Sequence, residues 1–308
     1  MTANELFSKG EKLYHSKGKE YEAIEAFKLL LEKYPDHING LTYLSTMQSE
    51  ICDFDGAIKS INQAESLEPE NFAIKEQKLL LLKTLSKFTF SDKYYLDEKT
   101  RECHEVLSYS DYSLLLSDLN KLLYSLLDHY KSNERKKNRY LWNLAHNERK
   151  MGNHKTAIEL LKQNIESIPS KYNDDRRRRE LANLQREIAS NYIDQKQFDL
   201  GLDFLHQAFE NGLDDFKRTM IADVYKQMGD ESKFEETLQD LLDRINEKLE
   251  TKPEPAYIFQ KFAVYKKLQK GLETKELLLD FDLITNKADY ITESKRELEN
   301  EINNYLKQ

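Results

Sequence analysis

The sequence predicts an all-α fold built by repetition of one two-helix unit. Pro35 and Pro69 lie 34 residues apart, and each ends a stretch in which small and apolar residues recur with helical spacing. The 308 residues include nine Gly and five Pro, so long tracts contain no helix breaker. A fold that grows by adding units needs no second core, and we therefore expect one elongated domain, 1–308.

The repeating unit is clearest at residues 36–69. Two stripes of core positions are expected there: Leu41, Leu44, Ser45 and Gln48 on a first helix, and Ala57, Ile61 and Ala64 on a second. The segment from Asp53 to Gly56 would separate the two helices. This spacing resembles the tetratricopeptide repeat (TPR). The resemblance implies a right-handed superhelical solenoid of antiparallel helix pairs, with a groove that holds another molecule.

Further copies of the unit are predicted on both sides of a less regular region. They are expected at residues 4–35, 138–169, 180–212 and 214–240. A helix at 289–308 places Ile291, Leu298 and Ile302 near one face, with Glu and Lys residues around them. An apolar inner side and a polar outer side suit a C-terminal capping helix.

Residues 72–131 are apolar and helical in character but lack the repeat signature. Three helices are expected in this stretch, near 72–87, 93–107 and 112–131. Because repeats are helix pairs, an odd number leaves one helix over. Two interpretations stay open: either 93–107 is an inserted binding helix, or the signature of a repeat has decayed.

Several classes of protein are disfavoured by the composition. No run of about 18 apolar residues exists to span a membrane, and residues 1–18 lack the apolar core of a secretion signal. A cytoplasmic protein is therefore expected. Cys52 and Cys103 are too few for a disulfide framework and lack zinc-ligand spacing. Glycine-rich phosphate loops, nucleophile elbows and His-Glu-x-x-His motifs are also missing, so we expect no enzyme activity, catalytic residue, cofactor or metal.

Positive charge is concentrated in a basic belt, which we define as residues 131–186. The belt contains fifteen Lys or Arg and seven Asp or Glu, whereas the chain as a whole carries a net charge of −8. Such a belt would attract a negatively charged partner and speed the encounter at low salt. The excess negative charge elsewhere would repel a long polyanion, which makes nucleic acid an unlikely partner.

One helix face in the belt is a candidate contact surface for a partner. Arg139, Trp142, His146 and Arg149 follow each other at i, i+3, i+7 and i+10, so they share one face of a helix. Alignment of Ala145 with Ala189 gives Asn183, Arg186 and Ser190 as the matching residues of the next repeat. Guanidinium and amide groups can hold an extended backbone and its carboxylates, while tryptophan supplies contact area.

The function expected from this face is non-catalytic binding of a protein or extended peptide with acidic groups, as a scaffold or adaptor. Two alternatives stay open. The chain could be a peptide-responsive sensor, or an inhibitor or immunity-type protein with one cognate partner. Binding of single-stranded nucleic acid is the third possible function, because aromatic residues lie among the cations of the belt. Trp142 could also pack on a neighbouring helix instead of meeting a partner. The sequence leaves the oligomeric state open.

Overall fold

The computed structural model describes residues 1–90, 112–168, 172–271, 273–281, 284 and 289–307. These residues form helices joined by turns and contain no β-strand, which confirms the predicted all-α class. The candidate inserted helix at 93–107 lies outside the described residues. Contacts along the chain define two compact units, Met1–Pro169 and Ser170–Gln308, which we call unit 1 and unit 2 and describe separately.

The described part of unit 1 contains eight helices. They are α1 (Ala3–Tyr14), α2 (Glu20–Lys33), α3 (Ile38–Glu50), α4 (Phe54–Leu67), α5 (Phe72–Phe90), α6 (Tyr112–His129), α7 (Glu134–Lys150) and α8 (His154–Glu166). Each helix packs against the next one along the chain. The helices α5 and α6 therefore form the third helix pair, and residues 91–111 lie between them in the sequence.

Local periodicity explains the core of the second pair. All seven positions expected in the stripes of α3 and α4 are buried, including the polar Ser45 and Gln48. The Ser45 hydroxyl donates to the carbonyl of Ala57 at 2.9 Å, which satisfies a polar group where the two helices cross. In the first pair, a Cβ at Gly10 would lie 2.6 Å from the ring of Phe27, so this close crossing requires glycine.

The turn inside a helix pair has one recurring conformation. Six residues in turns have a positive φ between 55° and 80°; Gly18 is one of them, and the other five lie in turns that are closed by the same hydrogen bond. These five residues are Cys52, Gly152, Lys196, Gly229 and Gln269. In each of these turns, the following residue donates its N–H to a carbonyl of the preceding helix five positions earlier, as Asp53 does to Gln48 at 2.8 Å. A left-handed residue after a helix, closed by such a bond, reverses the chain in few residues.

Side chains reinforce two of these turns with the same pair of positions. In the second pair, Gln48 donates through Nε2 to Oδ2 of Asp53 at 2.9 Å. In the fourth pair, Asn153 donates through Nδ2 to Oε2 of Glu148 at 2.8 Å. The donor therefore lies before the turn in one repeat and after it in the other. In both cases a polar side chain at the helix end is satisfied without water.

Unit 2 continues the helical pattern with longer and less regular elements. Its described α-helices are α9 (Asp174–Asp194), α10 (Phe198–Glu210), α11 (Thr219–Met228), α12 (Glu231–Thr251), α13 (Pro255–Lys267), α14 (Leu277–Asp280) and α15 (Asp289–Tyr305). Two short 3₁₀ helices occur at Asp215–Arg218 and Glu273–Glu276. The repeat predicted to end at residue 240 continues as one helix to Thr251.

The last helix buries one side against the rest of unit 2. In α15, the side chains of Ile291, Leu298 and Ile302 are buried, and they join the core formed by α12 and α13. The apolar side expected for the capping helix is thus the side that packs. Within the described part of the chain, none of the helices combines the length and the apolar character that a bilayer span requires.

Candidate partner-binding site

Helix α7 has one fully buried face and one accessible face. Tyr140, Leu141, Leu144 and Ala145 are at most 2% exposed, and they anchor the helix in unit 1. The predicted contact residues of unit 1 occupy the other side: Arg139, Trp142, His146 and Arg149. Trp142 is 39% exposed, although a tryptophan is usually among the more buried side chains. The i, i+3, i+7, i+10 spacing has thus placed these four residues on an accessible helix face.

Trp142 and His146 form a flat surface on this face. Their rings are stacked, with centroids 5.5 Å apart and planes 6° from parallel. The two residues are one helical turn apart, so the stack needs no distortion of the helix. The indole is held in one orientation while part of its surface stays open to solvent.

A glutamate on α5 holds the cationic start of α7. Glu76 accepts from the Lys136 ammonium at 2.9 Å, from the Arg139 guanidinium at 3.2 Å, and from the Tyr140 hydroxyl. Tyr140 is fully buried, whereas 58% of the Arg139 side chain is still exposed. Arg139 is therefore fixed by Glu76 at one nitrogen and can still reach a ligand. Sequence analysis missed Glu76, which lies 63 residues before Arg139.

Hydrogen bonds and burial determine the ionisation state of each group in this cluster. Burial alone would raise the pKa of Glu76, but hydrogen bonds from Tyr140 and Lys136 outweigh burial and lower that pKa. Burial and the hydrogen bond to Glu76 raise the pKa of Tyr140 to about 12. The hydrogen bond to Glu76 also raises the pKa of Lys136. At neutral pH the cluster thus contains one carboxylate, two cations and a neutral phenol, with a net positive charge.

Buried amides fix the rotation of α7 about its axis. Lys83 of α5 donates to Oδ1 of Asn143 at 2.8 Å. On the side toward α6, Asn120 donates to Glu148 at 2.7 Å and accepts from Asn147 at 3.0 Å. Buried polar groups without partners are costly, so any rotation that broke these contacts would be opposed. The direction in which Trp142 and Arg139 point is therefore determined by tertiary contacts.

In unit 2, the three matching residues differ in accessibility. Asn183 is exposed on α9, and Arg186 is half-buried with its guanidinium 2.6 Å from the carboxylate of Glu187. Ser190 is buried, and its hydroxyl donates to the backbone carbonyl of Arg186 at 3.1 Å. Ser190 therefore supports the helix and does not present a polar group to solvent. Whether these residues join the face of α7 stays a prediction, since the two sets belong to different units.

The arginine run at the start of α9 is arranged around the helix. Arg176 lies over the ring of Tyr172, 3.8 Å from its centroid, and donates to the Tyr172 hydroxyl at 3.1 Å. Arg179 bonds weakly to the carbonyl of Asp175 at 3.4 Å. Arg178 and Arg179 also border an open cavity of about 470 Å³ together with Glu210. The run therefore includes cations that point in different directions, as expected for consecutive positions on a helix.

Among the described residues, no cluster of three or more His, Cys, Asp and Glu side chains could hold a metal ion.

Comparison with known proteins finds chains of similar structure and low sequence identity. No family model matches the sequence, and no curated protein matches it. A tetratricopeptide repeat protein from Parabacteroides merdae ATCC 43184 is similar in structure, with 19% identity over 96% of this chain and 98% of that chain, and a TM-score of 0.49. The apo form of RapI is 12% identical over 100% of this chain and 99% of that chain, with a TM-score of 0.45.

A third solved structure, MamA from Desulfovibrio magneticus RS-1, is 10% identical over 68% of this chain and 94% of that chain, with a TM-score of 0.45. At these identities the likeness concerns the fold alone. The fold is assigned from the chain's own structure, in which helix pairs recur with small residues at their crossings and left-handed residues in their turns. By these features the chain folds as a series of repeated α-helix pairs.

Proposed function

We propose that the chain binds an extended, acidic segment of another protein without catalysing a reaction. The contact surface is the α7 stripe, which we define as Arg139, Trp142, His146 and Arg149. The observation that carries the proposal is the 39% exposure of Trp142 on a helix whose other face is fully buried. Tryptophan and arginine are the residues most enriched where binding energy is concentrated.

The surroundings of the stripe favour tight contact because little has to be ordered on binding. The indole of Trp142 is stacked on His146, and Glu76 restrains the Arg139 guanidinium. A side chain that is already immobile loses less entropy when a ligand arrives. Arg139 can then pair with a carboxylate of the partner while the indole covers apolar atoms beside it.

The positive charge of the basic belt favours a partner with acidic groups over a neutral or basic partner. The basic belt has fifteen cationic and seven anionic residues, so its field attracts carboxylates over a distance set by the ionic strength. Asn183 and Arg186 of unit 2 are proposed as further contacts, whereas the buried Ser190 bonds to the backbone carbonyl of Arg186 within α9. Binding should therefore weaken as salt is added.

The fluorescence of Trp142 offers a direct test, since the chain has one tryptophan. A synthetic peptide of alternating Glu and Ser should change the emission of Trp142, and a Lys and Ser peptide of the same length should not. Raising the salt should weaken the response. If oligothymidylate changes the emission and the acidic peptide does not, single-stranded nucleic acid replaces a protein segment as the ligand.

Variants then test whether the stripe makes the contact. Arg139→Ser should weaken binding of the acidic peptide by about five- to tenfold, the usual cost of removing one important interface side chain. Arg244→Ser is the matched control, because Arg244 is also an exposed arginine paired with one carboxylate, Asp240. Equal affinities of the two variants in titration calorimetry would remove the α7 stripe from the proposal.

Capture from a native extract distinguishes a general adaptor from a protein with one cognate partner. Wild type should retain a protein that Trp142→Ala does not retain. Tyr21→Ala is the control, since Tyr21 is an exposed aromatic residue of α2 outside the stripe. A single protein retained at high salt would favour the sensor or inhibitor interpretation, whereas several proteins lost with added salt would favour the adaptor.

A further inference from the structure

A cavity of about 470 Å³ lies in unit 2, between the start of α9 and the end of α10. These two helices are joined by a short turn and pack against each other, so the first turns of one meet the last turn of the other. The cavity is lined by Asp175, Arg178 and Arg179 of α9 and by residues 209–212 at the end of α10. Pockets of this size hold small molecules. A ligand there would be independent of the function proposed for the α7 stripe.

Charged side chains of both signs border this cavity without pairing with each other. Within the described part of the chain, the side chains of Arg178 and Glu210 form no hydrogen bond and no ion pair. The guanidinium of Arg179 makes the weak bond to the backbone carbonyl of Asp175 at 3.4 Å, and not to a carboxylate. The cations and the carboxylates are therefore too far apart to pair directly, and a ligand between them meets both.

The two sides of the cavity differ in sign. On the α9 side, Arg178 and Arg179 outnumber the carboxylate of Asp175, and the start of a helix adds partial positive charge. On the α10 side, Glu210 is negative, and the end of a helix adds partial negative charge. A simple anion would be attracted by one side and repelled by the other. The charges therefore favour a ligand that is negative at one end and positive at the other.

The amide of Asn211 adds a fixed acceptor on the negative side. Its Nδ2 donates to Oε1 of Gln185 at 3.0 Å and to the backbone carbonyl of Gln207 at 2.9 Å. These two bonds fix the direction of the amide, and they leave Oδ1 without a donor among the described residues. Because Asn211 borders the cavity, Oδ1 is available to a ligand that donates hydrogen bonds, such as an ammonium group.

Phe209 gives the cavity an apolar surface that is held in place. The guanidinium of Arg218 lies over the Phe209 ring, 4.5 Å from its centroid. Arg218 is itself paired with the carboxylate of Asp215 at 3.3 Å. The ring is thus restrained from the side of Arg218 and still borders the cavity. An apolar group of a ligand can pack there without first ordering the ring.

We propose that this cavity binds a small zwitterion of dipeptide size that carries apolar side chains. Its carboxylate pairs with Arg178 and Arg179, which suit a carboxylate in bidentate geometry. Its ammonium group binds Glu210 and Oδ1 of Asn211, and an apolar side chain lies on Phe209. Packed helices lie about 8–10 Å apart, and two residues of extended chain span about 7 Å. The opposite charges at the two ends of a dipeptide therefore match the two sides of the cavity.

Leucyl-leucine and its two blocked forms test the proposal with the full chain. Saturation-transfer NMR, which detects weak complexes, should show binding of leucyl-leucine. The acetylated form lacks the ammonium group and the amidated form lacks the carboxylate, so each should bind about fivefold more weakly or less. Equal binding of the three forms, or no binding of leucyl-leucine, would overturn the proposal. Inorganic phosphate that binds as tightly as leucyl-leucine would show a general anion site and would also overturn it.

Variants assign the two ends of the ligand. Arg178→Ser should weaken binding of leucyl-leucine about fivefold and should leave binding of the amidated form unchanged, because that form has no carboxylate. Glu210→Gln should weaken binding of leucyl-leucine and leave binding of the acetylated form unchanged. Arg177→Ser is the matched control, since Arg177 is an exposed arginine of the same run that does not line the cavity. Circular dichroism should show all three variants folded. Equal affinities of Arg178→Ser and Arg177→Ser for leucyl-leucine would contradict the proposal.

Discussion

The two basic helices α7 and α9 have similar charge in the sequence and different surroundings in the structure. The cations at the start of α7 meet a carboxylate on another helix, Glu76, together with the fully buried Tyr140. At the start of α9, Arg176 and Arg179 make local contacts, with Tyr172 and the backbone of Asp175. Tertiary anchoring therefore turns one cluster into a fixed surface, while the other is a charged helix end.

The largest difference in the free energy of unfolding is expected between substitutions of Tyr140 and Tyr172, the aromatic residues next to the two clusters. Tyr140→Ala should lower the free energy of unfolding by about 3–5 kcal/mol, because it empties a fully buried site and removes the hydrogen bond to Glu76. Tyr172→Ala should cost less than about 1 kcal/mol, as a substitution of a partly exposed residue. Urea denaturation followed by circular dichroism measures both, and equal costs would break the comparison.

A smaller difference in the free energy of unfolding is expected between substitutions of two carboxylates, Glu76 and Asp175. Glu76→Gln should lower the free energy of unfolding by about 1–2 kcal/mol, because three donors lose a charged acceptor at a partly exposed site. Asp175→Asn, at the start of α9, should cost about 0.5 kcal/mol through a weaker interaction with the helix dipole. If the cost of Asp175→Asn equals or exceeds that of Glu76→Gln, anchoring by Glu76 is not what distinguishes α7.

The same carboxylate predicts a dependence on acid. The pKa of Glu76 in the folded protein lies below its ordinary value of 4.5. Its stabilising contribution is therefore fully present above that value and is lost as the pH falls through the lower folded pKa. The difference in thermal midpoint between wild type and Glu76→Gln should shrink below pH 4.5. A difference that stays constant to pH 3 would show that the charge of Glu76 contributes nothing.

The smallest effect is expected for single arginines of the run. Arg177→Ala should change the free energy of unfolding by less than about 0.5 kcal/mol, because Arg177 is an exposed residue at a helix start. Lys136→Ala should cost about 0.5–1 kcal/mol, since Lys136 bonds to Glu76 and lies 3.7 Å from the ring centroid of Tyr130. Indistinguishable thermal midpoints for the two variants would remove this part of the comparison.

Sequence reasoning succeeded where neighbours along the helix determine the structure. The stripes of α3 and α4 follow from helical periodicity, and all their positions are buried. The accessible face of α7 also follows from periodicity, since Leu141 and Leu144 fix which side is buried.

The contacts that orient α7 could not be predicted in the same way. Glu76 is a charged residue within an apolar helix, and nothing in its local pattern pairs it with Tyr140, which lies 64 residues away. The side chains of Asn120, Asn147 and Glu148 are buried. From their polar residue types alone they would be expected on the surface. One signal was present, because Tyr140, Asn143 and Asn147 have the i, i+3, i+7 spacing of a packed face.

The donor and the acceptor have exchanged positions between the two reinforced turns. This exchange limits the substitutions by which such a repeat can diverge. Gln48 gives a hydrogen bond to Asp53, and Glu148 receives one from Asn153. Converting one arrangement into the other takes two substitutions, and each intermediate faces either two carboxylates or two amides across the turn. The facing carboxylates repel, whereas the facing amides can still bond. The amide pair is therefore the more accessible route by which a duplicated repeat can diverge without losing its turn.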